Sequence, residues 1–132
     1  MLRLVRRPLV ALVAAALVAG GCGSGPSDAE QVRAAVLAFG KATAAKDYQR
    51  LCDRLLAPRL VDKIKQAGLP CEVALQKGLG DVEDPKLTLG RIAVDGDSAT
   101  ADVRTSARGQ PPSRDTLKLT RVGGRWKIAS LG

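Results

Sequence analysis

Residues 91–103 read Arg-Ile-Ala-Val-Asp-Gly-Asp-Ser-Ala-Thr-Ala-Asp-Val and contain the pattern that decides the fold class. Asp95-Gly96 predicts a two-residue hairpin turn, because such a loop needs backbone angles that Gly and Asp tolerate. Pairing across this turn places Ile92 beside Ala99. One face of the hairpin is then apolar and the other polar, which predicts an antiparallel sheet with one covered face. The apolar face carries Ile92, Val94, Ala99, Ala101 and Val103, and the polar face carries Thr100, Asp102 and Arg104.

The sheet is predicted to begin upstream of this hairpin, after Asp84-Pro85, where helical spacing of apolar residues changes to alternation. The alternation of Leu87 and Leu89 is out of step with that of the residues beyond Gly90. A glycine fits a β-bulge well, so we predict a bulge near Gly90.

A second hairpin is predicted at the C-terminus, with strands 115–122 and 125–131 around a Gly-Gly turn. In this register Arg121 lies opposite Trp126, so that its guanidinium can lie over the indole ring. The segment 107–113 contains two prolines and is predicted to be a loop, because proline cannot serve a central strand. The inward face of this hairpin is expected to carry Leu117, Leu119, Trp126 and Ile128, and its polar, basic face Thr116, Lys118, Thr120, Arg125 and Lys127.

Two amphipathic helices are predicted at the start of the domain. The first begins at Ser27, which can form a capping box with Glu30, and ends near Lys46. Asp47 is expected to cap the second helix, and Tyr48 to lie on its buried face.

Two further helices are predicted before the sheet. Pro58 suits the first turn of the third helix, and Gly68 suits its left-handed end. The fourth helix covers 71–79, with Val73, Ala74 and Leu79 as candidates for its inward side. Helices followed by four antiparallel strands predict a single α+β domain over residues 27–132, with the helices packed on one face of a curved sheet.

Several of these pieces together resemble small actinobacterial lipoproteins with a nuclear transport factor 2-like (SnoaL-like) domain, a cone-shaped, cystatin-like α+β roll. The pieces are residues 47–52, Cys71 after Gly68-Leu69-Pro70, residues 94–101 and residues 124–128. The resemblance covers most of residues 27–131 and implies a cavity between the curved sheet and the helices. Such folds host many activities, so the resemblance implies a fold more than a function.

Residues 1–21 have the order of a secretory signal peptide, with three arginines, then an apolar run, then small residues. Cys22 follows directly, which resembles the lipobox of a bacterial lipoprotein, whose cysteine is acylated and becomes the first residue of the mature protein. Residues 22–26 are then expected to be a lipidated flexible tether. This interpretation places the domain at the extracytoplasmic face of the cell membrane.

Two alternatives to the lipoprotein signal can be weighed. An uncleaved transmembrane anchor is disfavoured, because the segment between the last arginine and Cys22 spans about 21 Å of a hydrocarbon core about 30 Å thick. The other alternative, a secreted protein without a lipid anchor after cleavage of the same segment, is not excluded by the sequence.

The chain has three cysteines and no histidine. If Cys22 is acylated, Cys52 and Cys71 are left as one pair, which predicts a disulfide in an oxidising compartment. A metal site is not expected, because histidine and closely spaced cysteines are both missing. A catalytic thiol is not expected either, because it would need a basic partner, usually histidine, and the chain has none. We expect no cofactor.

The formal net charge is +8, which raises the question of nucleic acid as a partner. The chain has only one Phe, one Tyr and one Trp. Nucleic acid is not an expected partner, because there is no aromatic platform for base stacking and the signal directs the chain out of the cytoplasm. Anionic lipid headgroups or envelope polymers fit the charge better. A basic surface that only keeps the domain in solution is the alternative.

Enzymes of the resembled fold, such as polyketide cyclases, ketosteroid isomerases and dehydratases, hold an acid–base pair in the cavity, typically Asp with His or Tyr. The polar candidates for the cavity in this chain are Asp47 and Tyr48, but adjacent residues do not share a helical face. We therefore interpret Asp47 as a helix cap and Tyr48 as a core residue, and we name no catalytic residue.

Two classes of function follow from the sequence, beside a purely structural role. The favoured one is a non-catalytic module of the cell envelope, held by the lipid on Cys22, that binds a small apolar ligand, a lipid or an envelope protein. The alternative is an acid–base enzyme of the cyclase, isomerase or dehydratase type, which requires a buried carboxylate in the cavity.

Overall fold

Four helical segments precede four strands in residues 25–132, the part of the chain that the computed structural model describes. The helices are α1 (Asp28–Ala44), α2 (Tyr48–Arg50, continued by a π-helical turn over Leu51–Leu55), α3 (Pro58–Gln66) and α4 (Cys71–Leu79). The strands are β1 (Lys86–Asp95), β2 (Ser98–Ala107), β3 (Gln110–Val122) and β4 (Arg125–Ser130). The predicted signal peptide 1–21 and lipidated Cys22 lie outside the described residues.

The strands form one antiparallel sheet in the order β1-β2-β3-β4, with the helices packed on one face. The predicted α+β class is therefore confirmed. Apolar side chains of β2, β3 and β4 that face the helices are buried, including Ala101, Leu117 and Ile128, while their neighbours along the strands are mostly exposed. This alternation is the pattern expected of a sheet with one covered face.

Local chemistry sets the helix ends. The Ser27 hydroxyl accepts a hydrogen bond from the Glu30 backbone N–H, and the Glu30 carboxylate accepts one from the Ser27 N–H, each at 3.2 Å. This reciprocal capping box satisfies two N–H groups that lack helical partners. Pro58 opens α3 at its first turn, and Gly68 follows α3 with a φ of +102°, as predicted.

The second helix differs from the regular helix that its spacing predicts. After one α turn it widens into a π-helical turn, in which the Leu56 N–H donates to the Leu51 carbonyl at 2.8 Å. Both leucines are buried. The next N–H, that of Ala57, donates to the Ile128 carbonyl at 2.7 Å, so the wide turn delivers the chain to the edge of β4.

The first hairpin turns one residue later than predicted. Asp95 pairs with Ser98, so the turn residues are Gly96, with a φ of +59°, and Asp97. The expected Ile92–Ala99 pair is wrong, since Ile92 lies opposite Ala101. Asp97 is held in the turn because its carbonyl accepts the Arg121 N–H at 2.8 Å. A register error of two residues leaves every side chain on its expected face.

The predicted β-bulge is confirmed between Leu89 and Ile92, where the register between β1 and β2 shifts. A Cβ at Gly90 would lie 3.2 Å from the Asp102 carbonyl oxygen. The glycine thus allows the two strands to approach closely at the bulge.

The predicted loop over 107–113 is wrong, because β3 begins at Gln110 after a tight turn at Arg108 and Gly109. Pro111 and Pro112 are tolerated because β4 pairs only with 118–122 of β3. The first half of β3 therefore has a strand on one side only, and proline is acceptable along such an edge.

The inward face of α4 also differs from the prediction. Val73 is 38% exposed, whereas Leu75 is 9% exposed and belongs to the core. Cys71 is buried, and residues four apart share a helical face, so Leu75 follows Cys71 inward. Within residues 25–132 no helix is long and apolar enough to cross a membrane.

Candidate functional site

A cavity of about 280 Å³ lies between the helices and the end of the sheet where β2 turns into β3. Its helical wall comes from the second half of α1, the π-helical turn and α4, and its floor from β1, β2 and β3. Most of its lining is apolar, including Phe39, Leu51, Leu56, Leu75, Leu79, Val82, Leu87, Val103 and Leu117. Its volume is slightly below the usual range of small-molecule sites, about 300–1,000 Å³.

The apolar wall results from the placement of a few residues. Phe39, the single phenylalanine, is partly buried against the core and lines the cavity. Gly40 beside it lets α1 approach β1, since a Cβ at Gly40 would lie 3.2 Å from the Leu87 Cβ. A larger residue would push helix and strand apart along the cavity wall.

Most polar residues that line the cavity lie at the strand ends, and Thr43 of α1 adds a hydroxyl that donates to the Phe39 carbonyl at 2.8 Å. The Thr105 and Ser113 hydroxyls lie 2.9 Å apart, and the Ser113 hydroxyl donates to the Asp115 carboxylate at 3.2 Å. Asp115 is exposed, and within residues 25–132 no polar or charged residue is buried. The cavity therefore has a mostly apolar lining, with hydrogen-bonding groups at the strand ends.

An ion-paired clamp borders the mouth of the cavity. Arg108, in the β2–β3 turn, pairs with Glu83 at 3.2 Å and with Asp84, both in the segment between α4 and β1. Its backbone N–H also donates to the Glu83 carbonyl at 2.8 Å. On the helical side, the Lys46 ammonium donates to the Gly80 carbonyl at 2.6 Å. The segments that frame the opening are thus held together by these contacts.

The structure places Asp47 and Tyr48 outside the cavity lining. Asp47 is exposed and its carboxylate accepts the Arg50 N–H at 3.1 Å, which is the geometry of a helix cap. Tyr48 is half-buried and packs against the core, and its hydroxyl is buried without a hydrogen-bond partner in the described residues. The polar residues that line the cavity are instead Thr43, Lys86, Thr105, Ser106, Gln110, Ser113 and Asp115. Gln110 and Ser113 lie within the segment predicted to be a loop.

A disulfide joins Cys52 and Cys71, as the cysteine count predicts, with their Cα atoms 6.1 Å apart. It links the π-helical turn to the first residue of α4. Leu51 and Leu75, which lie near these two positions on the same elements, line the cavity. The disulfide therefore braces the helical wall from outside and presents no free thiol to a ligand.

Metal chemistry has no visible donor set here. Within residues 25–132 no group of three or more His, Cys, Asp or Glu side chains is arranged to hold an ion. The carboxylate that lines the cavity, that of Asp115, already accepts a hydrogen bond from Ser113.

No protein-family model and no curated protein matches the chain. Solved structures do match. An NTF2-like protein from Shewanella baltica, of unknown function, aligns with a TM-score of 0.56 at 18% identity, covering 80% of this chain and 94% of its own. A protein of the NTF2-like family from Streptomyces avermitilis, named as a candidate dehydratase, aligns with a TM-score of 0.55 at 22% identity, covering 76% and 90%.

The domain has the NTF2-like (nuclear transport factor 2-like) fold. A protein designed de novo with this fold also aligns, with a TM-score of 0.54 at 14% identity, covering 80% of this chain and 87% of its own. At these identities the likeness concerns the fold, and NTF2-like proteins include both enzymes and non-enzymes. The function must therefore be argued from the cavity itself.

Proposed function

We propose that this NTF2-like protein is a lipid-anchored, non-catalytic module of the cell envelope that binds a small apolar ligand in its cavity. The observation that carries the proposal is the composition of that cavity, whose lining is mostly apolar and whose polar side chains lie mainly at the strand ends. A ligand with an alkyl or ring portion and one polar end fits such a site. Burying its apolar surface would contribute about 25 cal/mol for each Å² removed from water.

The same cavity supports binding over catalysis. Acid–base chemistry requires a side chain that is positioned in the cavity and shielded from water. Asp115 is exposed at the mouth, and Asp47 caps a helix elsewhere. Among the described residues, the one carboxylate that lines the cavity is thus not shielded from water, which favours binding over the acid–base enzyme considered from the sequence.

The envelope location is the part of the proposal that rests on sequence. Residues 1–21 have the order of basic, apolar and small residues that is typical of a lipoprotein signal. Cys22 lies five residues before Ser27, the cap that starts the domain. Acylation of Cys22 would hold the cavity close to a source of apolar ligands, since each buried CH₂ of a lipid anchor adds about 0.8 kcal/mol.

The binding part is tested by titrating the purified chain with 11-(dansylamino)undecanoic acid and following dansyl fluorescence. We expect saturable binding at one site for each chain. Thr105→Phe, which places a ring in the cavity, should weaken binding about tenfold or more, equivalent to about 1.4 kcal/mol. Thr100→Phe, on the outward face of the same strand, should bind like the wild type. Equal affinities in the two variants would contradict binding in this cavity.

The anchor part is tested by native mass spectrometry of the protein extracted gently from its own membrane. We expect the mass of residues 22–132 plus acyl groups and less two hydrogens. Cys22→Ala should move the protein out of the membrane fraction, whereas an unacylated full-length chain in that fraction would refute the anchor. A further non-covalent mass would identify the natural ligand.

A further inference from the structure

The outward face of the sheet is strongly basic. Three basic residues of β2 and β3 point away from the helices: Arg104, Arg114 and Lys118. Successive side chains of a strand alternate between its faces, and Val103 next to Arg104 and Leu117 next to Lys118 are buried. Arg91 in the bulge lines a shallow groove with these three residues. Arg125 and Lys127 lie on the same face of β4, on either side of buried Trp126. We call these six residues the basic face: Arg91, Arg104, Arg114, Lys118, Arg125 and Lys127.

Charge is segregated onto this face. It carries two acidic residues, Asp95 and Asp102, beside its six basic ones. The remaining charged residues of 25–132, twelve basic and eleven acidic, nearly cancel. Nearly all of the excess positive charge of the described domain therefore lies on one side of the sheet. Asp115 reaches the rim of the groove from the cavity side.

Two arginines of the face lie directly opposite each other. Arg104 of β2 pairs in register with Arg114 of β3, and like charges at opposed positions destabilise a sheet. Within residues 25–132 the ion pairs involve only Arg108 and Arg121, so neither arginine has a carboxylate partner there. Asp102, the nearest acid along β2, accepts a hydrogen bond from the Thr116 hydroxyl at 3.0 Å. Within the described residues the charges of these two arginines are therefore not neutralised by a carboxylate.

We propose that the basic face binds the phosphate groups of an anionic membrane, against which the lipid anchor holds the domain. Arginine forks match phosphate oxygens in two-point hydrogen bonds, and each basic residue near such a surface adds to the attraction. This inference rests on the proposed anchoring at Cys22.

The position of the tether supports this occupant. Asp28, in the first turn of α1, pairs with Arg121 of β3 at 3.2 Å, and the neighbouring Val122 pairs with Arg125 of the basic face. The five residues from Cys22 to Ser27 can extend about 17 Å at most. An acyl anchor on Cys22 would thus hold the sheet within reach of the headgroups from the end that carries Arg125.

The test uses the full chain reconstituted into vesicles of phosphatidylcholine, with or without phosphatidylglycerol, and acetylates lysines with N-hydroxysuccinimide acetate. We expect Lys118 to react about fivefold more slowly on phosphatidylglycerol vesicles, in line with the attraction of a basic residue to such a surface. Lys65 on α3 and Lys77 on α4, both exposed on the helical layer, are internal controls and should react alike on both. High salt should remove the protection, because the attraction is screened.

The variant Arg104→Gln/Arg114→Gln should lose the protection of Lys118 while remaining folded, since it removes a like-charge pair. Arg33→Gln/Arg54→Gln removes the same charge from exposed positions on the helices and should keep the protection. Equal Lys118 reactivity on both vesicles would overturn the proposal. So would protection by inorganic phosphate on phosphatidylcholine vesicles without protection by phosphatidylglycerol. A chain without acyl groups would fail to float with phosphatidylcholine vesicles, a separate result that concerns the anchor alone.

Discussion

The guanidinium carbon of Arg121 lies 4.8 Å from the centroid of the Trp126 ring, directly across the β3–β4 pair. The same guanidinium pairs with Asp28 at 3.2 Å, donates to the Gly96 carbonyl at 3.1 Å, and has its Nε 3.1 Å from Asp97. The Nε contact is close enough for an ion pair but is not aligned as a hydrogen bond. One side chain therefore joins the start of α1, the first hairpin turn and the last strand.

Replacing this arginine should cost stability through several small losses. We expect Arg121→Met to lower the free energy of unfolding by about 1–2 kcal/mol, because the cation–π contact and two partly exposed ion pairs are lost. Urea denaturation followed by Trp126 fluorescence measures the change. Arg125→Met, on the same hairpin without an ion pair in the described residues, should stay within about 0.5 kcal/mol of the wild type. Equal losses of unfolding free energy in the two variants would contradict a stabilising role for the Arg121 contacts.

The buried Tyr48 hydroxyl, which has no hydrogen-bond partner within residues 25–132, predicts an unusual result for a conservative change. Tyr48→Phe should leave the free energy of unfolding unchanged or raise it by up to about 1 kcal/mol, since a buried unpaired polar group is removed. Asp47→Ala, one residue earlier, should lower it by about 0.5–2 kcal/mol through loss of the helix cap. A clear loss of stability in Tyr48→Phe, measured by urea denaturation, would mean that the hydroxyl has a partner in solution.

The two apolar residues of α4 should respond very differently to truncation. Leu75→Ala should cost about 2–3 kcal/mol, because it removes side-chain volume from the wall between core and cavity. Val73→Ala should cost less than about 1 kcal/mol, because Val73 is largely outside the core. Thermal or urea unfolding of both variants under the same conditions provides the comparison, and similar costs would contradict the observed rotation of α4.

The Cys52–Cys71 disulfide closes a loop with a sequence separation of 19. The double variant Cys52→Ala/Cys71→Ala should lose about 2–4 kcal/mol, because the unfolded chain gains conformational freedom when the bond is absent. Dithiothreitol should lower the stability of the wild type by a similar amount and leave the double variant unaffected. Membrane fractionation of the variant should match the wild type, because Cys22 is intact. If dithiothreitol also lowered the stability of the double variant, the loss in the wild type could not be assigned to the Cys52–Cys71 disulfide.

The sheet could be predicted largely from the sequence because its signals are local. Alternating burial, Gly-Gly at a turn and the glycine at a bulge each depend on a few adjacent residues, and the Arg121–Trp126 pairing followed from one turn. The errors in the sheet came from contacts distant in sequence. The first turn lies one residue later than predicted because the Arg121 N–H binds the Asp97 carbonyl. Pro111 is accepted in β3 because β4 is too short to pair with that part of the strand.

The cavity could not be predicted in the same way. Its hydrogen-bonded group of Thr105, Ser113 and Asp115 depends on how far β2 and β3 extend together. Its helical wall depends on the rotation of α4 and on the widening at Leu51, and both are set by packing between elements. Amphipathic spacing identifies the buried side of a helix only approximately, so it favoured Val73 over Leu75.

The hydrogen bond from Ala57 to the Ile128 carbonyl has a consequence for the order in which the domain forms. In a meander each strand pairs with the next one along the chain, so the sheet needs only short loop closures and should form quickly. The wide turn of the second helix, in contrast, takes its strand partner from the final strand. A chain synthesised from its N-terminus can pack α1 against β1 as soon as that strand emerges. Leu56 and Ala57 gain their partner only when β4 has emerged, so the last strand completes the helical layer.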